Sequence, residues 1–269
     1  MAVELEFEQK PKLLQSLSDS VIMIKRSSRH ILRNTDQLLG TFFQPIMFLV
    51  LFSAVFGGAI VLALPDGISY LNFLLAGIIV QTVAFGSTTT AIAVCNDMQK
   101  GIVDRFRSLP MGNLAVLNGH VISDLFRNGI STVVMIVAGL IMGFRSSASF
   151  FDWLTIAGIL VLFTLAFSWV AAIMGVLAKS VEGVQWLTFV LVFPLTFASS
   201  AFVPTEGMNA VLRAFAENQP ITHIIEAVRG LMLGTPTGNH ITLAVVWSLL
   251  IMAIAIPLAA LLFKRKTTE

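Results

Sequence analysis

The sequence predicts an all-α integral membrane protein. Charged residues make up only 12% of the 269 positions, while apolar residues make up 56%. Mean hydropathy is +0.87. The apolar residues also gather in runs of about 20, the length that crosses a hydrocarbon core as a helix. A soluble domain carries about 25% charged residues, so there is too little charge here to cover a water-facing surface. A disordered or fibrous chain is excluded on the same ground. The runs are continuous, without the alternation of barrel strands, so helices are expected.

The chain divides into a cytoplasmic N-terminal segment (1–37), a transmembrane domain (38–263) and a basic tail (264–269). The first residues carry Glu4, Glu6 and Glu8 and no basic leader, so the first span is expected to stay in the mature protein. Over 12–37, Leu14, Leu17, Val21, Ile24, Ile31 and Leu32 share an arc of roughly 100° at helical spacing. Lys25, Arg26, Arg29 and Arg33 take the neighbouring flank. Such a helix lies in the membrane interface, as a basic anchor or as a lever on a partner.

About six spans follow, at 38–62, 71–95, 117–143, 153–178, 184–203 and 241–263. Basic residues set their orientation. With the N-terminus inside, the cytoplasmic side holds Lys10, Lys12, Lys25, Arg26, Arg29, Arg33, Lys100, Arg105, Arg107, Lys179, Lys264, Arg265 and Lys266. Both termini are then cytoplasmic. Pro65-Asp66-Gly67 and Ser146-Ser147 mark short external turns, and 179–183 is a short internal one. Two connections are long: an internal loop (96–116) and an external segment (204–240).

In the internal loop, Ile102, Val103, Phe106 and Leu109 fall on one helix face, Asp104, Arg105 and Arg107 point elsewhere, and Pro110 stops the helix. A solvated loop and a docking helix are both open on these residues alone. The external segment is too apolar for a solvated loop, with Val211, Leu212, Phe215, Ile224, Ile225 and Leu231, yet no run in it could cross a membrane. Arg213 and Glu217 are spaced i,i+4 and Glu226 and Arg229 i,i+3, so each pair can neutralise in a half-buried helix.

Within the spans the notable ionisable residues are Asp124 and Arg127, again i,i+3, with His120 one turn earlier. An intramembrane pair is a functional candidate, but near a span end both side chains can snorkel to the interface and simply pair. Polar residues cluster in span two, at Gln81, Thr82 and 87–90, and in span five, at Gln185, Thr188, Thr196, Ser199 and Ser200. They read as interhelical hydrogen bonds, or as the lining of a route for an apolar cargo with Phe85, Phe189, Phe193 and Phe197. Pro194 and Pro257 interrupt helix hydrogen bonding, and Gly139 and Gly143 allow close helix approach.

Several chemistries lack their residues. The chain has no Gly-Lys pair and therefore no phosphate loop, so an ATPase driving it is another polypeptide. His30, His120, His223 and His240 lack ligand spacing, and no metal is expected. The single cysteine, Cys95, forms no internal disulfide and reads as an inert small side chain. A net charge of +2 gives no reason to invoke nucleic acid. The spans offer almost no acid/base or metal-binding residues, which disfavours a membrane-embedded lipid-modifying enzyme, and neither rings of charge nor a filter loop is seen, which disfavours an ion channel.

The run Lys100-Gly101-x-x-Asp104-Arg105-Phe106-Arg107-Ser108-Leu109-Pro110-Met111 resembles the cytoplasmic signature of type-2 ABC exporter permeases, closest to their daunorubicin-resistance branch. The external segment is similar to the same family at Phe202-Val203-Pro204-Thr205, at Asn218-Gln219-Pro220-Ile221-Thr222 and at Arg229-Gly230-Leu231. Many members have Asn-Pro directly, and here Gln219 intervenes. The resemblance implies an interface helix before span one. It implies a coupling helix carrying Lys100, Gly101, Asp104, Arg105, Phe106, Arg107 and Pro110 in a cleft of a cytosolic ABC ATPase subunit. Short re-entrant helices would close the external side, with Pro204, Asn218, Pro220, Glu226 and Arg229 as gate residues. Gln81, Thr88, Phe189, Phe193, Thr196 and Phe197 are the substrate-path candidates. The chain would bind no cofactor itself; ATP and magnesium would sit on the partner. A second permease copy and membrane lipid would be its other partners, in the plasma membrane of a prokaryote. Export of a drug-like hydrophobic or amphipathic substrate is the expected function, with export of a lipid or lipid-linked glycan as the alternative.

Overall fold

Local sequence signals set most helix ends in the computed structural model, which describes residues 35–60, 64, 67–100 and 115–266. The helices are α1 (Thr35–Ile60), α2 (Tyr70–Gly86), α3 (Thr88–Gln99), α4 (Ala115–Met142), α5 (Phe150–Leu177) and α6 (Val181–Phe197), followed by a 3₁₀ turn (Thr205–Gly207), α7 (Ala210–Asn218), α8 (Pro220–Leu233) and α9 (His240–Lys266). Ser69, Ser180 and Asn209 side chains accept from the first-turn amides of α2, α6 and α7. Ser149 and Asp152 form a reciprocal capping box at the start of α5. Pro220 occupies the first position of α8, where its missing N–H costs nothing. Gly234 ends that helix at φ +67°, a conformation that favours glycine.

Among the described residues, five segments are long and apolar enough to cross a membrane: Phe42–Ile60, Tyr70–Gln99, Val116–Met142, Phe150–Leu177 and His240–Lys266. Two expected spans take a different form. The second is interrupted at Ser87, which separates α2 from α3. The fifth, expected at 184–203, is the 17-residue α6, which gives way to a turn at 198–203. Pro194 lies in its last turn, and the small and hydroxyl residues Ala198, Ser199 and Ser200 follow. The Ser199 hydroxyl donates to the Thr196 carbonyl and accepts from the Ala201 amide, so it stabilises a turn in place of a further helical turn.

The core is built around α2, which is buried along most of its length and packs against α1, α4, α5, α6 and α8. Helix α5 is the second axis, flanked by α3, α4, α8 and α9. Close approach depends on small residues. A Cβ added at Gly77 would lie 2.3 Å from the Ala201 carbonyl oxygen, one at Gly175 2.4 Å from the Ala91 oxygen, and one at Gly139 2.7 Å from Leu75. Gly143, at φ +105°, follows the C-terminus of α4. The outer faces are apolar: Phe43 and Val55 on α1, Val133 and Ile141 on α4, Trp186 and Val190 on α6, and Ile254 and Leu261 on α9 are exposed. Such a surface suits lipid and would aggregate in water.

Gly77→Ala should strain the contact between α2 and the 198–203 turn, destabilising the protein by about 1–3 kcal/mol. Gly158→Ala, with nothing within 4 Å, should not. Thermal unfolding in detergent compares the two; equal melting temperatures would contradict this packing account.

Candidate functional site

Two buried arginines sit where the chain departs from regular helix. At the α2–α3 interruption the Thr90 amide donates to the Ser87 carbonyl at 3.0 Å. The Gly86 carbonyl is taken by the Thr89 hydroxyl (2.8 Å) and by Nη2 of Arg127. Arg127 also donates to the Asp124 carboxylate, which accepts from the Ser168 hydroxyl on α5. Asp124 and Arg127 are 1% and 4% exposed, so the pair is held inside the bundle and does not snorkel. Removing either partner would leave an uncompensated buried charge.

The second arginine, Arg229 on α8, is built the same way. Its guanidinium donates to the Ser200 carbonyl (2.6 Å) in the turn after α6, to the Phe73 carbonyl (3.0 Å) in α2 and to the Glu226 carboxylate one turn earlier. It also stacks over the Phe73 ring, 3.6 Å from ring centre to Cζ. Burial pushes its guanidinium below its usual range, and Glu226 opposes that shift. The Tyr70 hydroxyl donates to the Phe202 carbonyl and the Gln219 amide to the Leu195 carbonyl, so the turn is tied down on three sides.

Of the expected gate residues, Glu226 and Arg229 are therefore joined. Pro204 precedes the 3₁₀ turn, Pro220 opens α8, and Asn218 ends α7, its amide donating to the Ala214 carbonyl. Arg213 and Glu217 pair at 2.6 Å on the surface of α7. Their hydrogen bond holds Glu217 below the usual carboxylate range.

The substrate-path candidates separate into two groups. Phe189, Phe193 and Phe197 stack along α6 with centroids 4.8 and 4.2 Å apart. The column continues through Phe202 (4.8 Å) to Phe52 and Phe56 on α1, and begins at Trp186. Gln81 and Thr196 are buried in the packing, the Thr196 hydroxyl bonded to the Val192 carbonyl, and Thr88 is half-buried at the start of α3. Sequence reading missed Trp186, Phe52, Phe56 and Phe202 as parts of one column. Residues 193 and 197 share a helix face, but nothing in the spacing brings α1 to them.

Polar contacts also close the two ends of the bundle. At one end His120 meets Asp97 at 2.9 Å, Gln99 donates to the Lys179 carbonyl, and Lys266 donates to the carbonyl of Val176. At the other, the Nδ1 atoms of His223 and His240 lie 3.1 Å apart, clasping α8 to the first turn of α9. No group of three or more metal-ligating side chains occurs among the described residues. Lys100 is exposed at the end of α3. The remaining coupling candidates, Gly101, Asp104, Arg105, Phe106, Arg107 and Pro110, and the interface-helix residues Lys25, Arg26, Arg29 and Arg33, lie outside the described residues.

These features define a multi-pass helical membrane protein with short helices inserted before its last span. Residues 19–233 match the family model described as ABC-2 type transporter. The chain belongs to that family. It is 31% identical over 233 residues to the daunorubicin resistance ABC transporter permease protein DrrB1 of Streptomyces coeruleorubidus, covering 87% of this chain and 81% of that protein. It is 26% identical to the probable doxorubicin resistance ABC transporter permease protein DrrC of Mycobacterium tuberculosis, covering 84% and 82%. It is also 26% identical to the putative transport permease ycf38 of Porphyra purpurea, covering 77% and 71%.

Replacing Arg229 with Met should cost about 3–5 kcal/mol, because Glu226 is left as a half-buried charge and two carbonyls lose their donor. Glu226→Gln should cost less, since that side chain is 30% exposed. Detergent melting curves give the order; a stable Arg229→Met protein would show that the turn holds without its donor. The histidine clasp adds a pH dependence. Burial, then the neighbouring His240, depress the His223 pKa below its ordinary value of 6.5, while Glu226 opposes them. A depressed histidine contributes stability that is fully present above about pH 6.5 and is lost as pH falls below it, because the unfolded chain then binds the extra proton. The melting temperature should therefore fall less between about pH 7.5 and 5.5 in His223→Asn than in the native chain.

Proposed function

We propose that this chain is the membrane subunit of an ATP-driven exporter that moves a hydrophobic or amphipathic drug-like substrate out of the cytoplasm or inner leaflet. Family membership supports the transporter class. The observation that carries the substrate class is the pair of relatives named for daunorubicin and doxorubicin resistance, matched over most of the chain. The aromatic column on α6 and α1 fits such a cargo, since rings at 4–5 Å spacing offer offset stacking to a flat apolar molecule.

In this reading the subunit works as a dimer of permeases with two cytosolic ATPase subunits, which bind ATP and magnesium. It sits in a prokaryotic plasma membrane with six spans, α6 together with the 198–203 turn serving as the fifth, and with both termini cytoplasmic. ATP-driven closure of the ATPase pair pushes on the segment around Asp104 and Phe106, which follows α3 directly. The interface helix and spans tilt in response. Contact that differs between the two ATPase states is what drives the change. Helices α7 and α8 close the external side, held by Arg229.

Reconstitution with its ATP-binding subunit tests the reading. Asp104→Lys and Phe106→Ala should insert normally yet uncouple ATP hydrolysis from export; normal export by both would remove the coupling role. Phe193→Ala should raise the KM for daunorubicin about two- to tenfold, the loss of roughly one aromatic contact. An unchanged KM would remove the column from the path.

A further inference from the structure

The α2–α3 interruption holds polar atoms that the transport reading does not use. Asn128 is 1% exposed, and neither its amide nitrogen nor its oxygen has a partner among the described residues. Nε of Arg127 is buried and unpartnered as well. An unpaired buried polar group costs roughly 1–3 kcal/mol, and native proteins hold few of them. Packing alone would be better served by an apolar side chain there, which carries no such cost.

Placement suggests what the amide is for. Asn128 Oδ1 lies directly against Gly86, where an added Cβ would sit 2.2 Å away. Arg127, next to it on α4, donates to the Gly86 carbonyl. On its other side Arg127 is anchored by Asp124, itself bonded to Ser168 on α5. The α4–α5 pair therefore offers a fixed polar face to a joint, and α3 is the short arm beyond it. That arm leads from Ser87 to Lys100 and on to the segment proposed to meet the ATPase.

We propose that Asn128 is a positioning residue for the second conformation of the transport cycle. When α3 swings about Gly86 and Ser87, backbone groups of the joint turn to the Asn128 amide, and Arg127 Nε gains its acceptor. The cost of leaving the amide unpaired in the present conformation is offset in the other one. This narrows the energy gap between the two states, which a partner can then tip. The inference rests on the exporter reading, because it needs α3 to be driven.

The test is ATP hydrolysis by the permease–ATPase complex in proteoliposomes, read as kcat and KM for ATP, beside the melting temperature of each variant. Asn128→Leu, whose side chain is larger than the amide it replaces, must still show a folded melting transition. Its kcat should fall about tenfold, the equivalent of roughly one net hydrogen bond, with KM for ATP unchanged. Asn128→Ser, which keeps a donor and an acceptor, should recover part of the rate. A native kcat in Asn128→Leu overturns the proposal. Should the larger leucine prevent folding, a native kcat in Asn128→Ala overturns it instead. If the native chain leaves hydrolysis by the ATP-binding subunit unchanged, the exporter reading fails and this proposal falls with it.

Discussion

A backbone carbonyl released from a helix inside an apolar layer must find a donor, because lipid supplies none. Among the described residues, two of the expected spans are interrupted, at Ser87 and after Phe197, and each interruption is closed by a buried arginine. Arg127 serves the Gly86 carbonyl, and Arg229 serves those of Ser200 and Phe73. Each arginine has a carboxylate three residues earlier on its own helix, Asp124 and Glu226, so its charge is neutralised locally. Arginine suits this task better than lysine, since its rigid fork presents several N–H groups at once and it is more weakly hydrated. The neighbouring elements follow. Helix α8 is fixed against α2 because Arg229 bridges them, and α4 is fixed against α5 because Asp124 also holds Ser168.

This arrangement leaves the two ends of the bundle with different characters. Around Arg229 the contacts are dense: Tyr70, Gln219 and the His223–His240 clasp tie the turn, α8 and α9 together. Around Arg127 the joint is underbonded, with Asn128 and the Arg127 Nε unpaired. The underbonded joint lies on the side that continues into the 101–114 segment, while the far end of α3 is held by the His120–Asp97 and Gln99–Lys179 contacts. Between the two ends, the aromatic column of α6 and α1 faces outward with Trp186, Phe189 and Phe193 exposed, where lipid or a second copy would meet it.

The apolar runs were legible in the sequence, and the helix caps went unread. Span four is expected at 153–178 and observed as Phe150–Leu177, and the Ser149–Asp152 box accounts for the extra turn at its start. The local charge pairs were legible as well, since i,i+3 and i,i+4 spacing alone brings Asp124 to Arg127, Glu226 to Arg229 and Arg213 to Glu217. The interruptions were not. In α2 and α6 the sequence is apolar on every face, so periodicity carries no signal, and runs such as Gly86-Ser87-Thr88 and Ala198-Ser199-Ser200 read equally as helix or turn. The arginines' other partners were out of reach for a different reason. Phe73 is 156 residues from Arg229 in the chain, and Ser168 is 44 from Asp124.

Hydrogen–deuterium exchange on the assembled permease–ATPase complex, with and without trapped ATP, tests most directly whether the capped interruptions are where this chain moves. Amide exchange should change with nucleotide at residues 86–91 and, more weakly, at 198–202. The middle of α5 around Phe163 should stay protected in both states. Exchange that responds uniformly along the spans, or only at the helix ends, would contradict the account.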